Sequence, residues 1–302
     1  MGLSLEEAIA RVPQWNKAQD IKTSPLGGGI TNRNFRIDVG NESFVLRIAG
    51  DNTELLGIRR QNEYEVNSIA GELGIAPEVV YFIQPEGYLV TRFIEGRPFT
   101  AEEIRKPENM RQVVDILKKI HGLPFIPGVF SAFQVVEDYT EVAHRYQVEF
   151  PENFDWLISR MQEAKTALST NLYTPHPCHN DLLNENFLFD GRIRILDWEY
   201  AGMGDIFFDL ANLSANHKFS DDEDRLLIDY YFGQVTRPLW AYLKIMRVMS
   251  DFREAMWGLV QIGISKLDFD FRDYGNIHFN RMTMSLSNPL WGEWLTEVAL
   301  YA

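Results

Sequence analysis

Apolar and polar residues alternate in two short runs near the start of the chain: Phe35, Ile37 and Val39, then Phe44, Leu46 and Ile48 after Gly40-Asn41. A period of two predicts an antiparallel hairpin. Over residues 57–73 the period lengthens, and Val66, Ile69, Ala70 and Leu73 predict one helix, stopped by Gly74. A further strand over residues 88–94 leads into Glu95-Gly96-Arg97-Pro98, a polar break. Helical spacing dominates beyond it, as at 110–121 and 155–168, with one β interruption, residues 186–189 and 192–196, joined by Asp190-Gly191. Both of those residues tolerate positive φ, which predicts a two-residue turn. The expected fold class is therefore α+β in two parts. Residues 1–94 form a small antiparallel β-sheet lobe with one helix, and residues 95–302 form a larger, mainly helical lobe that carries the second hairpin.

With a two-residue turn, Phe189 faces Arg192, Asn186 faces Ile195, and Asp197 stands two residues further on. Alternation then puts Asn186 and Asp197 on one face, roughly 7–8 Å apart between backbones. An amide oxygen and a carboxylate so placed suit Mg²⁺, which takes one or two protein oxygens and fills its other positions with water and phosphate. His179-Asn180-Asp181 lies just upstream and completes H-x-D-x-x-x-x-N with Asn186. In a kinase catalytic loop of that spacing the aspartate accepts a hydroxyl proton and the asparagine holds metal. Taken singly, each residue has a bland reading as a cap or a strand end. His179 either orients the loop by hydrogen bonding or shares in proton transfer.

Arg47 lies on the Val45 face of its strand, while Glu63 occupies the apolar face of the first helix. A buried carboxylate left unpaired costs several kcal/mol, so Arg47 is expected beside it. The pair either serves structure alone or presents a guanidinium to nucleotide phosphates. The run Gly27-Gly28-Gly29-Ile30-Thr31-Asn32 is either turn punctuation or a place where backbone N–H groups approach phosphate.

Composition narrows the partners. The chain has 302 residues and a net charge of −14, of which −3 falls in residues 1–94 and −11 in the rest. That balance opposes nucleic-acid binding and permits a cationic ligand, above all in the second part. No apolar run reaches the length of a membrane span, the start lacks a secretory pattern, and a single cysteine, Cys178, makes no internal disulfide. A cytoplasmic location is expected, and oligomeric state is not legible.

The run from Phe44 to Gly50, the loop from His179 to Asn186, Ile195-Leu196-Asp197-Trp198-Glu199-Tyr200 and the region from Trp257 to Tyr274 together resemble the choline/ethanolamine kinase family. These kinase-like phosphotransferases are related to aminoglycoside phosphotransferases. The resemblance covers about residues 20 to 285 and implies a bilobal protein-kinase-like fold with ATP and Mg²⁺ as cofactors. The implied substrate is a small cationic amino alcohol, choline or ethanolamine, whose hydroxyl is phosphorylated. It also implies Asp181 as base, Asn186 and Asp197 as metal ligands, and Arg47 and Glu63 at the phosphates. Gly28, Gly29, Thr31 and Asn32 would form the nucleotide turn, with Arg92 and Ile94 main chain at adenine. Glu199, Trp257 and Tyr274 fall on the substrate side, and Glu254 stands where the family often has a second tryptophan. By helical spacing alone, Glu254, Trp257 and Gln261 share a face, so a cation there meets a carboxylate and an indole together. The same stripe also reads as core. The competing readings are a phosphotransferase for another amino or sugar alcohol, such as an aminoglycoside, and a catalytically silent amine-binding kinase fold. Asp209 and Asn212 are expected to support the catalytic loop or the substrate edge.

Overall fold

The computed structural model describes residues 2–16, 18, 20–27, 31–169 and 174–300. The chain divides into two compact units, residues 1–99 with 185–200, and residues 100–184 with 201–302.

The first unit is a five-stranded antiparallel sheet of β1 (Ile21–Leu26), β2 (Arg33–Val39), β3 (Glu42–Ile48), β4 (Val79–Ile83) and β5 (Tyr88–Arg92), in the order β1-β2-β3-β5-β4. The predicted first hairpin is β2–β3, with Val39 opposite Glu42 and Gly40 at φ 61°. Phe44, Leu46 and Ile48 point into the core and leave Val45 and Arg47 on the other face. Helices α1 (Leu5–Ala10) and α2 (Arg60–Glu72) complete this part, and α2 buries Glu63, Val66, Asn67 and Ala70. Leu73 falls one residue past α2 and is 49% exposed rather than part of the stripe.

The second hairpin is β8 (Phe187–Phe189) with β9 (Ile193–Ile195), flanked by β6 (Arg97–Pro98). Its backbone is tied into the first unit, because Ile195 N–H donates to Ile75 O (3.0 Å) and Phe99 N–H to Phe187 O (3.0 Å). Its register differs by one residue from the sequence expectation. Phe189 pairs with Ile193 and Phe187 with Ile195, so the connection is Asp190-Gly191-Arg192, with Gly191 at φ 100°. This register sets Phe187 across from Ile195 and Phe189 across from Ile193 on one face, with Leu188 and Arg194 on the other; the two-residue turn would have mixed them. Arg194 fixes it by donating to Asp190 Oδ2 (Nε, 3.0 Å) and to the Gly74 carbonyl (Nη1, 2.7 Å).

The second unit contains α3 (Ala101–Ile104), α4 (Pro107–His121), α5 (Ala132–Arg145), α6 (Phe154–Leu168), α7 (Ile206–Asn216), α8 (Asp221–Phe232), α9 (Arg237–Ile264), α10 (Phe271–Leu286) and α11 (Trp291–Ala299), with a short ladder of β7 (His176–Cys178) and β10 (Gly202–Gly204). The 28-residue α9 is buried almost throughout its C-terminal half and packs against α5, α7, α10 and α11. Buried Asp224 ties α7, α8 and α9 together by accepting from Ser214, Lys244 and Arg247. No helix among the described residues is long and apolar enough to cross a membrane.

One buried group makes this unit sensitive to acid. Burial lowers the His217 imidazole from its ordinary value to about 4; the Leu213 carbonyl opposes that shift and Arg105 adds to it. The unfolded chain therefore binds a proton near pH 6.5 that the folded one refuses, so stability is complete above that pH and falls as pH drops towards 4. The loss attributable to His217 is expected to be about 3 kcal/mol. Melting temperatures measured between pH 7 and pH 4 check this: His217→Gln should flatten the profile, and equal slopes in the two proteins would contradict it.

Candidate active site

The loop between β7 and β8 is built around a buried carboxylate from α7. Asp209, on α7, accepts from the backbone N–H of His179 (2.8 Å) and of Asn180 (2.7 Å), and from His121 Nε2 (3.0 Å). Three residues along α7, Asn212 Oδ1 takes the Leu182 N–H (2.6 Å). Asn180 turns the chain at φ 64°, a conformation asparagine tolerates better than most residues. His179 is fully buried and its Nδ1 accepts the Asp181 N–H (3.2 Å). That bond fixes the tautomer with the remaining proton on Nε2. His121, Cys178 and Asp209 bring their ligand atoms within 4.8 Å of one another. Burial, reinforced by Asp209 and Asp205, holds the Cys178 thiol well above its ordinary value.

Asp181 is bound by a residue that sequence reading did not single out. Arg253, 1% exposed on α9, donates from Nη1 to Asp181 Oδ1 (3.0 Å) and to Glu254 Oε1 (2.6 Å). The other oxygen of Glu254 accepts from the Tyr274 hydroxyl (2.8 Å). Trp257 stands edge to face against Tyr274 with ring centroids 5.3 Å apart, and Phe271 lies 5.8 Å away on the same indole. Burial works to raise the Glu254 carboxyl, but Arg253, with His278 and the Tyr274 hydroxyl, outweighs it and holds the group below its ordinary value. The Tyr274 phenol is pushed well above its ordinary value by burial and then by Glu254, so it donates and does not ionise. One guanidinium shared by two carboxylates leaves this cluster with a net charge of −1.

The first unit holds the second constellation. Arg47 pairs with Glu63, as its spacing predicted, and also with Asp197. Arg60, one turn before Glu63 on α2, donates from Nη1 to Glu63 (2.7 Å) and Glu199 (2.9 Å) and from Nη2 to Asn32 Oδ1 (3.0 Å). Asn32 Nδ2 donates to Glu199 Oε2 (2.9 Å). Glu199, expected on the substrate side, thus has Arg60 and Asn32 as partners. Burial, and next Asp197, push its carboxyl up against the opposing arginines. The close approach of Gly50 to the Thr31 carbonyl leaves no room for a side chain there. Gly28 and Gly29 lie outside the described residues.

Asp197 does not follow from strand alternation, since the Leu196 N–H donates to Asn186 O (2.8 Å) and Asp197 itself sits at φ 61°. Its Oδ2 has no hydrogen-bond partner among the described residues, and its side chain is 27% exposed. A hard oxygen left open is donor chemistry that Mg²⁺ takes, and the Leu196–Asn186 bond brings the chain at Asn186 alongside the residue before Asp197. Arg92 N–H is taken by the Glu78 carbonyl (2.8 Å), and its guanidinium lies 5.0 Å from the Phe44 ring beside Glu42. Ile94, two residues past β5, makes no main-chain hydrogen bond among the described residues.

Known proteins place this arrangement. Residues 22–245 match the phosphotransferase enzyme family, and the chain belongs to it and is an enzyme of that class. The first relatives are Protein LicA of Haemophilus influenzae, 28% identical over 70% of this chain and 62% of its own length, and ethanolamine kinase 2 of Rattus norvegicus, 26% identical over 89% and 77%. The chain thus spans about three-fifths of LicA. A choline/ethanolamine kinase family protein from Mesorhizobium loti has the same kinase-like fold, with a TM-score of 0.83, 29% identity and 97% of each chain covered.

Proposed function

We propose that the protein is an ATP-dependent small-molecule kinase that phosphorylates the hydroxyl of an amino alcohol of the choline and ethanolamine class. The observation that carries this reading is the Asp181–Arg253–Glu254–Tyr274 chain with Trp257 against it. A proton acceptor is wired through one guanidinium to a carboxylate and an indole. With a net charge of −1, the cluster is neutralised by a monocation whose ammonium meets the aromatic face, worth about 0.5–2 kcal/mol from the ring alone. The names of the relatives, an ethanolamine kinase and a choline/ethanolamine kinase family protein, agree with it.

In this reading Asp181 orients the alcohol and takes its proton as the oxygen attacks the γ-phosphoryl group. His179, Asp209 and Asn212 are positioning residues, because they hold main-chain groups of the loop and keep Asp181 in one place. Arg47, steadied by Glu63, counters charge on the phosphates, and the Ile94 main chain meets the adenine edge. Asn186 and Asp197 would hold Mg²⁺, which when bound neutralises phosphate charge. The test is a panel of choline, ethanolamine, a neutral alcohol of similar size and an aminoglycoside, each offered with ATP and Mg²⁺ and scored by phosphorylated product and ADP. Product is expected with a monocationic amino alcohol and not with the neutral alcohol. Turnover that ignores the amine, or favours the multiply charged aminoglycoside, would overturn the assignment.

A further inference from the structure

Arg60 lies outside every motif that pointed to phosphoryl transfer, yet it pairs with two carboxylates, as Arg47 does. Its guanidinium is 13% exposed and meets two carboxylates from distant parts of the sequence, Glu63 on α2 and Glu199 just past β9. Its third contact, Asn32, immediately precedes β2 and follows the glycine run. Asn32 closes a triangle by donating to Glu199. Gly87, at φ 76°, packs against the stem of Arg60: a Cβ there would come 2.6 Å from Arg60 Cβ, so even alanine would collide. The side chain is therefore clamped along its length as well as at its head.

We propose that Arg60 is a positioning residue that sets the nucleotide side of the reaction. It fixes Asn32, which leads into β2, and it fixes the direction of Arg47 through their shared partner Glu63. Arg47 also meets Asp197, two residues before Glu199. The five side chains Arg47, Glu63, Arg60, Glu199 and Asp197 alternate in sign around most of a ring, which the backbone from Asp197 to Glu199 closes. Removing Arg60 leaves Glu63 with Arg47 alone and Glu199 with only an amide, so Arg47 and Asn32 lose the reference that holds them. A lysine cannot replace it, because a single ammonium does not offer the planar fork that reaches three acceptors on two sides. The inference rests on the phosphotransfer reading and adds to it a residue acting on nucleotide affinity, not on the amine.

The test compares wild type with Arg60→Met, Arg60→Lys and Asn32→Ala, using calorimetric ATP binding, KM for ATP, KM for the amine and melting temperature. Both Arg60 variants are expected to weaken ATP binding and raise its KM by about 10- to 100-fold, the scale set by small displacements of positioning groups. KM for the amine should stay within about twofold, since the amine's residues lie in the other unit. Asn32→Ala should reproduce a large part of the effect, and the double variant Arg60→Met/Asn32→Ala should be no worse than Arg60→Met. Should Arg60→Met not fold, Asn32→Ala decides, because it leaves every charge in place. Wild-type ATP binding that survives unchanged in the folded variants overturns the role of Arg60 alone. No ATP binding to the wild type overturns the phosphotransfer reading as well.

Discussion

Asp181→Asn is expected to lower kcat by about 10³-fold or more, within the range by which a positioned general base contributes, while ATP affinity changes little. The substitution keeps size and the contact to Arg253 but removes the acceptor that takes the hydroxyl proton. Structural collapse is not the expected cause. The loop around it is held by main-chain bonds to Asp209 and Asn212, which the change leaves alone. Glu254 still pairs with Arg253. Single-turnover kinetics with saturating amine and ATP, alongside calorimetric ATP binding, separate the outcomes. A kcat within tenfold of wild type would remove Asp181 from the proton transfer, and a parallel loss of ATP binding would mean that the variant reports on folding.

How much of this could be read from the sequence depended on whether the physics was local. The β2–β3 hairpin, α2 and the Arg47–Glu63 pair follow from period and burial cost, and all three are present. Strand β1 escaped because it is an edge strand whose middle four residues, Lys22 to Pro25, are all exposed, so it carries no alternation to detect. β4 escaped for the opposite reason, as Val-Val-Tyr-Phe-Ile is a continuous apolar run without a period. The register of β8–β9 was missed by one residue because Asp190-Gly191 fits a two-residue turn locally. The pairing of Phe187 with Ile195 and the Arg194 bonds to Asp190 and Gly74 decide otherwise, and part of that set is not local. Arg60 and Arg253 were missed because each is defined by partners far away in sequence. A signal for both was nonetheless present. Arg60 sits three residues before a buried glutamate on a helix, and Arg253 belongs to Asp251-Phe252-Arg253-Glu254, a charged cluster inside the buried part of α9. Charges in such a place must be paired, and asking with what leads to Asp181.

Arg253→Met should produce the largest loss of stability of any substitution considered, about 3–5 kcal/mol, the usual penalty for stripping one partner from a buried ion pair. Methionine fills most of the space, so the loss is electrostatic: Asp181 and Glu254 both lose the buried guanidinium they share. For a unit of this size that corresponds to a melting temperature lower by roughly 10 °C. Two further results distinguish this cause from poor packing. Glu254→Gln added to Arg253→Met should recover part of the loss, since it removes one of the stranded charges, whereas two packing defects would add. The deficit should also shrink as pH falls from 8 towards 5. Without Arg253 the buried carboxyls are expected to take up protons in the folded state at a pH where the unfolded chain does not, and such groups favour the fold at low pH and oppose it as pH rises. A deficit that is flat with pH, together with a double variant worse than the single one, would show that Arg253 matters here for its shape and not for its charge.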